Sequence, residues 1–151
     1  MMKWIRQQLS RDEGFTLIEL MVVVLIIAVL VAIAIPSFLG FRASAQDRSA
    51  QSDLRNVLLA EKALYVDTGA YSSTAADLQY YEASVDLTAV TVDTTTAGQV
   101  CMGMTSDSGT EFSILEHSTS GTTYYHGDAG CDDTGTGGSG SDWQAAKAAA
   151  G

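Results

Sequence analysis

Residues 14–35 read GFTLIELMVVVLIIAVLVAIAI, and this stretch decides the architecture of the chain. Between Leu17 and Ile35 every residue is apolar except Glu19. A helix over residues 15–35 would span roughly 31 Å at about 1.5 Å per residue, close to the roughly 30 Å of a membrane's hydrocarbon core. The run is longer than strands usually are. The sequence therefore predicts one membrane-spanning helix.

The charges that flank this helix predict its orientation. Residues 1–14 carry three bases and two acids, and the next base is Arg42. Because basic flanks stay in the cytoplasm, we expect the residues after Arg42 to lie on the other side of the membrane. A secretory signal cleaved after Ala45 is an alternative, since Ala43, Ser44 and Ala45 form a small-residue site, but its apolar region would usually be only about 7–15 residues long.

Glu19 distinguishes this segment from a simple membrane anchor. A carboxylate at the bilayer centre costs about 2.5–3.5 kcal/mol on insertion scales, and less near the edge, where Glu19 is expected to lie. A plain single-pass anchor accounts for the rest of the segment but has no use for this cost. The glutamate therefore indicates a second role for the helix.

The segment resembles the processing site of type IV pilins. The resemblance rests on GFTLIELMV at residues 14–22, behind a short basic leader and ahead of an uninterrupted apolar helix. It continues through AIPSFL at residues 34–39, and weakly into DTGAYS at residues 67–72, which is similar to the turn that ends the long first helix in that family. These features cover about the first half of the chain.

The resemblance implies an α+β fold, in which a long N-terminal helix packs on a small antiparallel sheet. It implies a leader at residues 1–14, a hydrophobic transmembrane and assembly helix at 15–36, an amphipathic helix at 37–68, and a head at 69–151 with a disulfide-bonded C-terminal region. In such proteins a prepilin peptidase cuts after the glycine, here Gly14, and the new N-terminus, here Phe15, is methylated.

Cleavage would create an ammonium group four residues before Glu19. One hypothesis is that Glu19 of one subunit pairs with the Phe15 ammonium of another during filament assembly, because each charge alone is strongly unfavourable in a low dielectric. The alternative is that Glu19 bonds the start of its own helix. Pro36 belongs to the same assembly segment, and a kink or a locally melted turn is expected there.

Residues 41–65 continue with apolar side chains at roughly helical spacing and predict an amphipathic helix that packs on a sheet. Arg48, Arg55 and Lys62 are seven residues apart, so they drift by only about 20° per step and form one basic stripe. A solvated face is the ordinary explanation. The alternative hypothesis is that the stripe contacts the acidic head of a neighbouring subunit.

After Gly69 the chain becomes rich in Thr, Ser, Tyr and Gly, and short alternating segments predict three or four antiparallel strands. The glycines at 98, 109 and 121 suit the turns between them. The predicted strands are residues 85–89, 100–104, 111–114 and 122–125.

Cys101 and Cys131 are the two cysteines of the chain. They most simply form a disulfide, because the compartment expected for the head is oxidising. A metal site is the weaker alternative, since the cysteines lack CxxC spacing and a nearby pair of histidines. In the pilins that have such a bridge, it ties the C-terminal region to the sheet.

The sequence offers little that suggests catalysis. His117 and His126 are isolated, and no nucleophile or metalloprotease motif accompanies them. Four aspartates of the C-terminal tail could offer oxygen ligands to calcium, but their spacing matches no EF-hand loop and a solvated acidic loop is favoured; they are Asp128, Asp132, Asp133 and Asp142. We therefore expect no enzymatic activity, no cofactor and no metal.

The net charge of −10 argues against a surface that grips nucleic acid. The sequence is interpreted as a single-pass precursor of the cytoplasmic membrane, a type IV pilin, that forms a helical homo-oligomeric filament on a prokaryotic cell surface. The resemblance implies three partners: the prepilin peptidase, the pilus assembly platform and its ATPase. Adhesion, twitching motility and DNA uptake are the outputs it suggests. A type II secretion pseudopilin and a soluble binding domain released after Ala45 are the alternatives.

Overall fold

The computed structural model describes residues 14–131, 138–141 and 143–149. The chain divides into two compact units, Met1–Gly40 and Phe41–Gly151. In chain order the elements are α1 (Leu17–Thr68), α2 (Ala75–Gln79), β1 (Thr91–Asp93), β2 (Gln99–Thr105), β3 (Glu111–His117), β4 (Gly121–His126), β5 (Gly138–Gly140) and α3 (Trp143–Ala149).

The first unit holds the apolar part of α1. Every large hydrophobic side chain from Phe15 to Leu39 is exposed, and by length and composition the helix could cross a membrane. Helical structure continues through Pro36, so the alternative of a locally melted turn there is wrong. Proline removes one backbone donor, and the surrounding turns keep the helix intact.

The end of α1 is set by Gly69. Its φ of +74° is a left-handed conformation that glycine adopts without a steric penalty. The amide of Gly69 donates to the carbonyl of Tyr65 at 2.8 Å, and the Thr68 hydroxyl donates to the carbonyl of Leu64 at 2.8 Å. These bonds use carbonyl groups that the helix end would otherwise leave unpaired. Helix α1 therefore ends at Thr68.

The head contains a five-stranded antiparallel sheet in the sequential order β1-β2-β3-β4-β5. The register places Met102 opposite Ile114, and Ile114 opposite Tyr124. The predicted strands at 100–104, 111–114 and 122–125 are confirmed as parts of β2, β3 and β4. Glycines with positive φ at 98, 109 and 121 make the turns that were expected.

The predicted strand at residues 85–89 is wrong. The Asp86 carboxylate accepts the amide of Thr88 at 2.9 Å, which closes a local turn in place of a strand ladder. The first strand is instead β1, six residues further on. The count of three or four strands was also too low, because β5 pairs with β4 through a Gly-Ser-Gly segment that carries no strand propensity.

The core forms where one face of α1 meets the sheet. It includes Leu54, Val57 and Leu58 of the helix with alternate residues of β2 and β3, which share one side of the sheet. Phe41 was assigned to this face by its spacing, but it is 75% exposed. The buried part of α1 begins at Ala50.

The C-terminal part of the chain closes the sheet. Trp143 is buried, with its ring against Phe112 and Tyr124 at centroid distances of 6.2 and 4.8 Å. The described loop before residue 132 lies against β2 and β3: the Ser113 hydroxyl donates to the carbonyl of Asp128 at 2.8 Å, and Cys131 forms a disulfide with Cys101. The expected bridge between the C-terminal region and the sheet is therefore present.

Gly103 allows this loop to approach the sheet. A Cβ atom at this position would lie 1.8 Å from the carbonyl oxygen of Ala129. That oxygen belongs to the backbone and could not move aside like the end of a flexible side chain. The absence of a side chain at Gly103 therefore sets the distance between β2 and the loop.

Candidate assembly site

The predicted processing site lies at the beginning of the described chain. Gly14 and Phe15 precede α1, outside any helix or strand, and Phe15 is 89% exposed. A Cβ atom on Gly14 would have no neighbour within 4 Å. The leader at residues 1–13 lies outside the described residues. Among the described residues, therefore, nothing covers the bond between Gly14 and Phe15.

Glu19 forms a capping box with Thr16. One oxygen of the Glu19 carboxylate accepts the Thr16 amide at 2.9 Å and the Thr16 hydroxyl at 2.8 Å, and the Glu19 amide donates back to that hydroxyl at 3.2 Å. Each residue thus satisfies an unpaired donor at the helix start. The [ST]-x-x-[DE] pattern at Thr16 signals this motif in the sequence, and our sequence analysis missed it.

The capping box lowers the free-energy cost of placing the Glu19 carboxylate in an apolar helix. Hydrogen bonds to a carboxylate offset part of its desolvation, so Glu19 has local partners in the isolated subunit. The geometry matches the expectation that Glu19 bonds its own helix start. Pairing with the Phe15 ammonium of another subunit would place a charge of opposite sign beside the same carboxylate.

The predicted basic stripe divides into two parts. Lys62 contacts its own sheet, where its ammonium lies 3.2 Å from the Glu116 carboxylate and donates to the Thr122 hydroxyl at 2.9 Å. The Thr122 hydroxyl in turn donates to Glu116. Lys62 therefore has partners within its own head. Because they lie more than fifty residues away in the sequence, no local sequence pattern could have predicted this contact.

The two arginines of the stripe remain exposed. The Arg55 guanidinium lies over the Trp143 ring at 4.6 Å from its centroid, a cation–π contact. Among the described residues, the single ion pair joins Lys62 to Glu116. No acid there pairs with Arg48 or Arg55. The charge of both arginines remains available to a partner.

Glu61 is a buried acid that our sequence analysis did not single out. Its side chain is 0% exposed, one oxygen accepts the Ser72 amide at 3.2 Å, and the other has no partner among the described residues. Burial raises its pKa to about 7, with a further rise from nearby Asp77. The spacing from Val57 and Leu58 to Leu64 puts position 61 on the core face, which is the signal that could have found it.

The remaining candidate residues are the two histidines and the aspartates of the C-terminal tail. No group of three candidate metal ligands occurs in the described ranges. His117 accepts the Thr119 amide at 3.1 Å, and His126 lies edge-on to Phe112. Asp128 is buried and accepts the Gly130 amide at 2.7 Å. The remaining acids of the calcium hypothesis, Asp132, Asp133 and Asp142, lie outside the described residues.

Comparison with known proteins finds similarity to pilus proteins over less than half of this chain. Residues 9–35 match the family model described as the prokaryotic N-terminal methylation motif. The chain is 41% identical over 70 residues to the type IV major pilin protein PilA of Myxococcus xanthus, a match covering 46% of this chain and 32% of the relative. It is 38% identical over 66 residues to the type IV wide pilus major component PilA4 of Thermus thermophilus, covering 44% and 50%.

A secretion protein is also similar. The chain is 35% identical over 69 residues to the type II secretion system core protein G of Pectobacterium carotovorum, covering 46% of this chain and 44% of the relative. The matched segment thus spans about a third to a half of the length of these curated relatives.

Proposed function

We propose that this chain, whose N-terminal segment matches the prokaryotic methylation motif and is similar to that of type IV pilins, is a structural subunit, and a major pilin, of an extracellular filament. Helices such as the exposed apolar half of α1 would form the centre of the filament, and the heads its outer surface. The partners would be further copies of the chain, the prepilin peptidase, and the assembly platform with its ATPase.

One observation carries this proposal: no described residue of the chain covers the apolar part of α1. Its large side chains are exposed from Phe15 to Leu39, and a continuous apolar surface of this extent is unstable in water. A membrane can cover it in the precursor, and other copies of the helix can cover it in a filament. The N-terminal motif supports both states, because it marks membrane-bound precursors that are later processed.

Processing would change the electrostatics of the assembly site. Cleavage between Gly14 and Phe15 gives a free amino group that methylation leaves basic. In a growing filament this ammonium would pair with Glu19 of a neighbour, whose carboxylate Thr16 bonds in the isolated subunit. The pairing favours addition of a subunit whose N-terminus has been cut.

The first test examines the wild-type chain from its own cells. We expect sheared surface filaments to contain this chain, with an N-terminal peptide that begins at methylated Phe15. A mature chain that begins at Gln46 would instead indicate the soluble domain released after Ala45, although Ala45 lies inside α1. Filaments that lack the chain would contradict the major pilin proposal.

Replacing Glu19 by valine tests the assembly site. We expect Glu19→Val to lower the filament yield about tenfold or more, because it removes one charge of the proposed pair, while cleavage at Gly14 continues. Thr16→Val is the matched control: it removes a hydrogen-bonding partner of Glu19 but keeps the charge, so filaments should persist. Normal filaments from a processed Glu19→Val chain would contradict the pairing.

A type II secretion pseudopilin is the second candidate, and the similarity to core protein G favours it. Such a subunit would assemble the same helix in a short filament confined to the cell envelope. Immunolabelling separates the two proposals, because a major pilin is found along surface filaments.

The charge of the mature chain bears on the output of a pilin. The predicted leader carries three bases and two acids, so the mature side chains sum to −11. This charge favours adhesion or motility over DNA uptake by bulk attraction.

A further inference from the structure

The outer face of α1 in the head carries four exposed side chains in one line: Arg48, Arg55, Leu59 and Val66. We call this set the apolar–basic stripe. At 3.6 residues per turn the four positions fall within about 40° of one another and extend over roughly 27 Å. Leu59 is 62% exposed and Val66 83%. Ser52 lies between the two arginines, so its small side chain leaves room for close approach.

The stripe differs from the rest of the chain in charge. The neighbouring acids of α1, Asp47, Asp53 and Asp67, lie about 80–120° around the helix from Leu59. Beyond α1 the balance is reversed, because residues 63–151 contain twelve acids and Lys147 as the single base. The stripe is therefore a basic and apolar surface on an acidic chain.

This contrast in charge indicates which surface would cover the stripe. Exposed leucine and valine gain free energy when they are covered, and arginines without an acid partner favour an acidic surface. The chain's own head supplies such a surface, and in a filament every head has copies of itself beside it. We propose that the apolar–basic stripe is the docking surface for the acidic head of a second copy of the chain. This proposal rests on the proposed function, since it needs copies held side by side.

The contact would also set the register between subunits. Residues 63–151 sum to −11, so neighbouring heads repel one another unless bases are placed between them. The arginines of the stripe put two positive charges at one fixed position on each copy. Because these charges are exposed, their attraction should weaken as salt increases.

Charge reversal tests the stripe. We expect the Arg48→Glu, Arg55→Glu double variant to give at least threefold fewer filaments, which dissociate at lower salt than wild-type filaments. The matched control is Arg42→Glu with Lys147→Glu, which changes the net charge equally. Arg42 lies about 100° from Leu59, and Lys147 lies on α3, so control filaments should be near normal. Equal losses in both double variants, or none in either, would overturn the proposal.

Two measurements separate other causes. Arg55 lies over Trp143, so Arg55→Gln is compared with Arg55→Glu. If charge matters, the Gln variant gives filaments closer to normal than the Glu variant. An equal loss in both would mean that lost packing is responsible, which counts against the stripe. A photo-crosslinking residue at Val66 should join a peptide from residues 63–151 of a second copy. A crosslink from position 66 to lipid or to another protein would overturn the proposal. Wild-type cells without filaments of this chain would instead overturn the proposed function.

Discussion

Replacing Cys101 and Cys131 with alanine is expected to lower the free energy of unfolding of the head by about 3–4 kcal/mol. The bridge closes a loop with a sequence separation of 30 residues, and a loop of this size gives that loss in the chain-entropy model. The two cysteines also hold the loop that ends at Cys131 against β2. Removing the bridge should therefore weaken the contacts between this loop and the sheet before it affects α1.

Trp143 provides a local probe for this measurement. The chain has two tryptophans, Trp4 in the predicted leader and buried Trp143 in the head. In a Trp4→Phe background, tryptophan fluorescence of the full chain in detergent follows the unfolding of the head alone. Dithiothreitol should shift the denaturant midpoint of the wild-type chain as far as the double alanine variant does.

The double alanine variant is its own control for the reductant. Dithiothreitol should leave its midpoint unchanged, because the sequence contains no other cysteine. An unfolding free energy within 1 kcal/mol of the oxidised wild type would contradict the prediction. Such a result would mean that the contacts of Ser113 and Gly103 with the loop are sufficient to hold it.

Glu61 should make the head more stable in mild acid than at alkaline pH. Its pKa is about 7 in the folded state, against an ordinary value of 4.5. The folded state therefore binds the proton more tightly, so this group's stabilisation is complete below about pH 4.5 and is lost as the pH rises through 7. The difference amounts to about 3 kcal/mol between pH 4.5 and pH 8.

Glu61→Gln is the variant that isolates this effect. Glutamine resembles the protonated acid and can still accept the Ser72 amide. We expect it to raise the unfolding free energy at pH 8 by about 1–3 kcal/mol and to have little effect near pH 5. The measurement is a series of denaturant titrations from pH 5 to pH 8, followed by Trp143 fluorescence.

Glu82→Gln is the matched control because it changes the net charge equally. Hydrogen bonds from Ser84 lower the pKa of Glu82, so its charged form favours folding and the control should show no gain at pH 8. A Glu61→Gln curve parallel to that of the wild type from pH 5 to pH 8 would contradict the prediction.

The sequence predicted the elements whose signals are local. Sixteen apolar residues in a row are enough to identify the apolar part of α1, and alternation identifies β2, β3 and β4. The left-handed glycines were found for the same reason, since each turn needs a residue that tolerates positive φ. The expected contact of Cys101 with Cys131 followed from the presence of only two cysteines.

The failures concern competition between local and distant contacts. Residues 85–89 alternate like a strand, but the Asp86 side chain bonds the Thr88 amide instead. Lys62 has the spacing of an outward-facing stripe, yet a long side chain can reach Glu116 on the sheet. Glu61 was passed over because a charged residue is usually solvated, whereas the packing of α1 places it in the core. The Asp86 turn is a local contact that replaces a strand, whereas the outcomes for Lys62 and Glu61 depend on the packing of α1 against the rest of the head.

Gly103 limits how this head can vary. Its missing side chain leaves room for the carbonyl of Ala129, and nineteen of the twenty amino acids would require the backbone to move. Exposed turns such as residues 118–120 carry no such restriction. In the proposed filament, sequence changes on the outer surface would be tolerated at these turns, while Gly103 remains fixed beneath the disulfide-bonded loop.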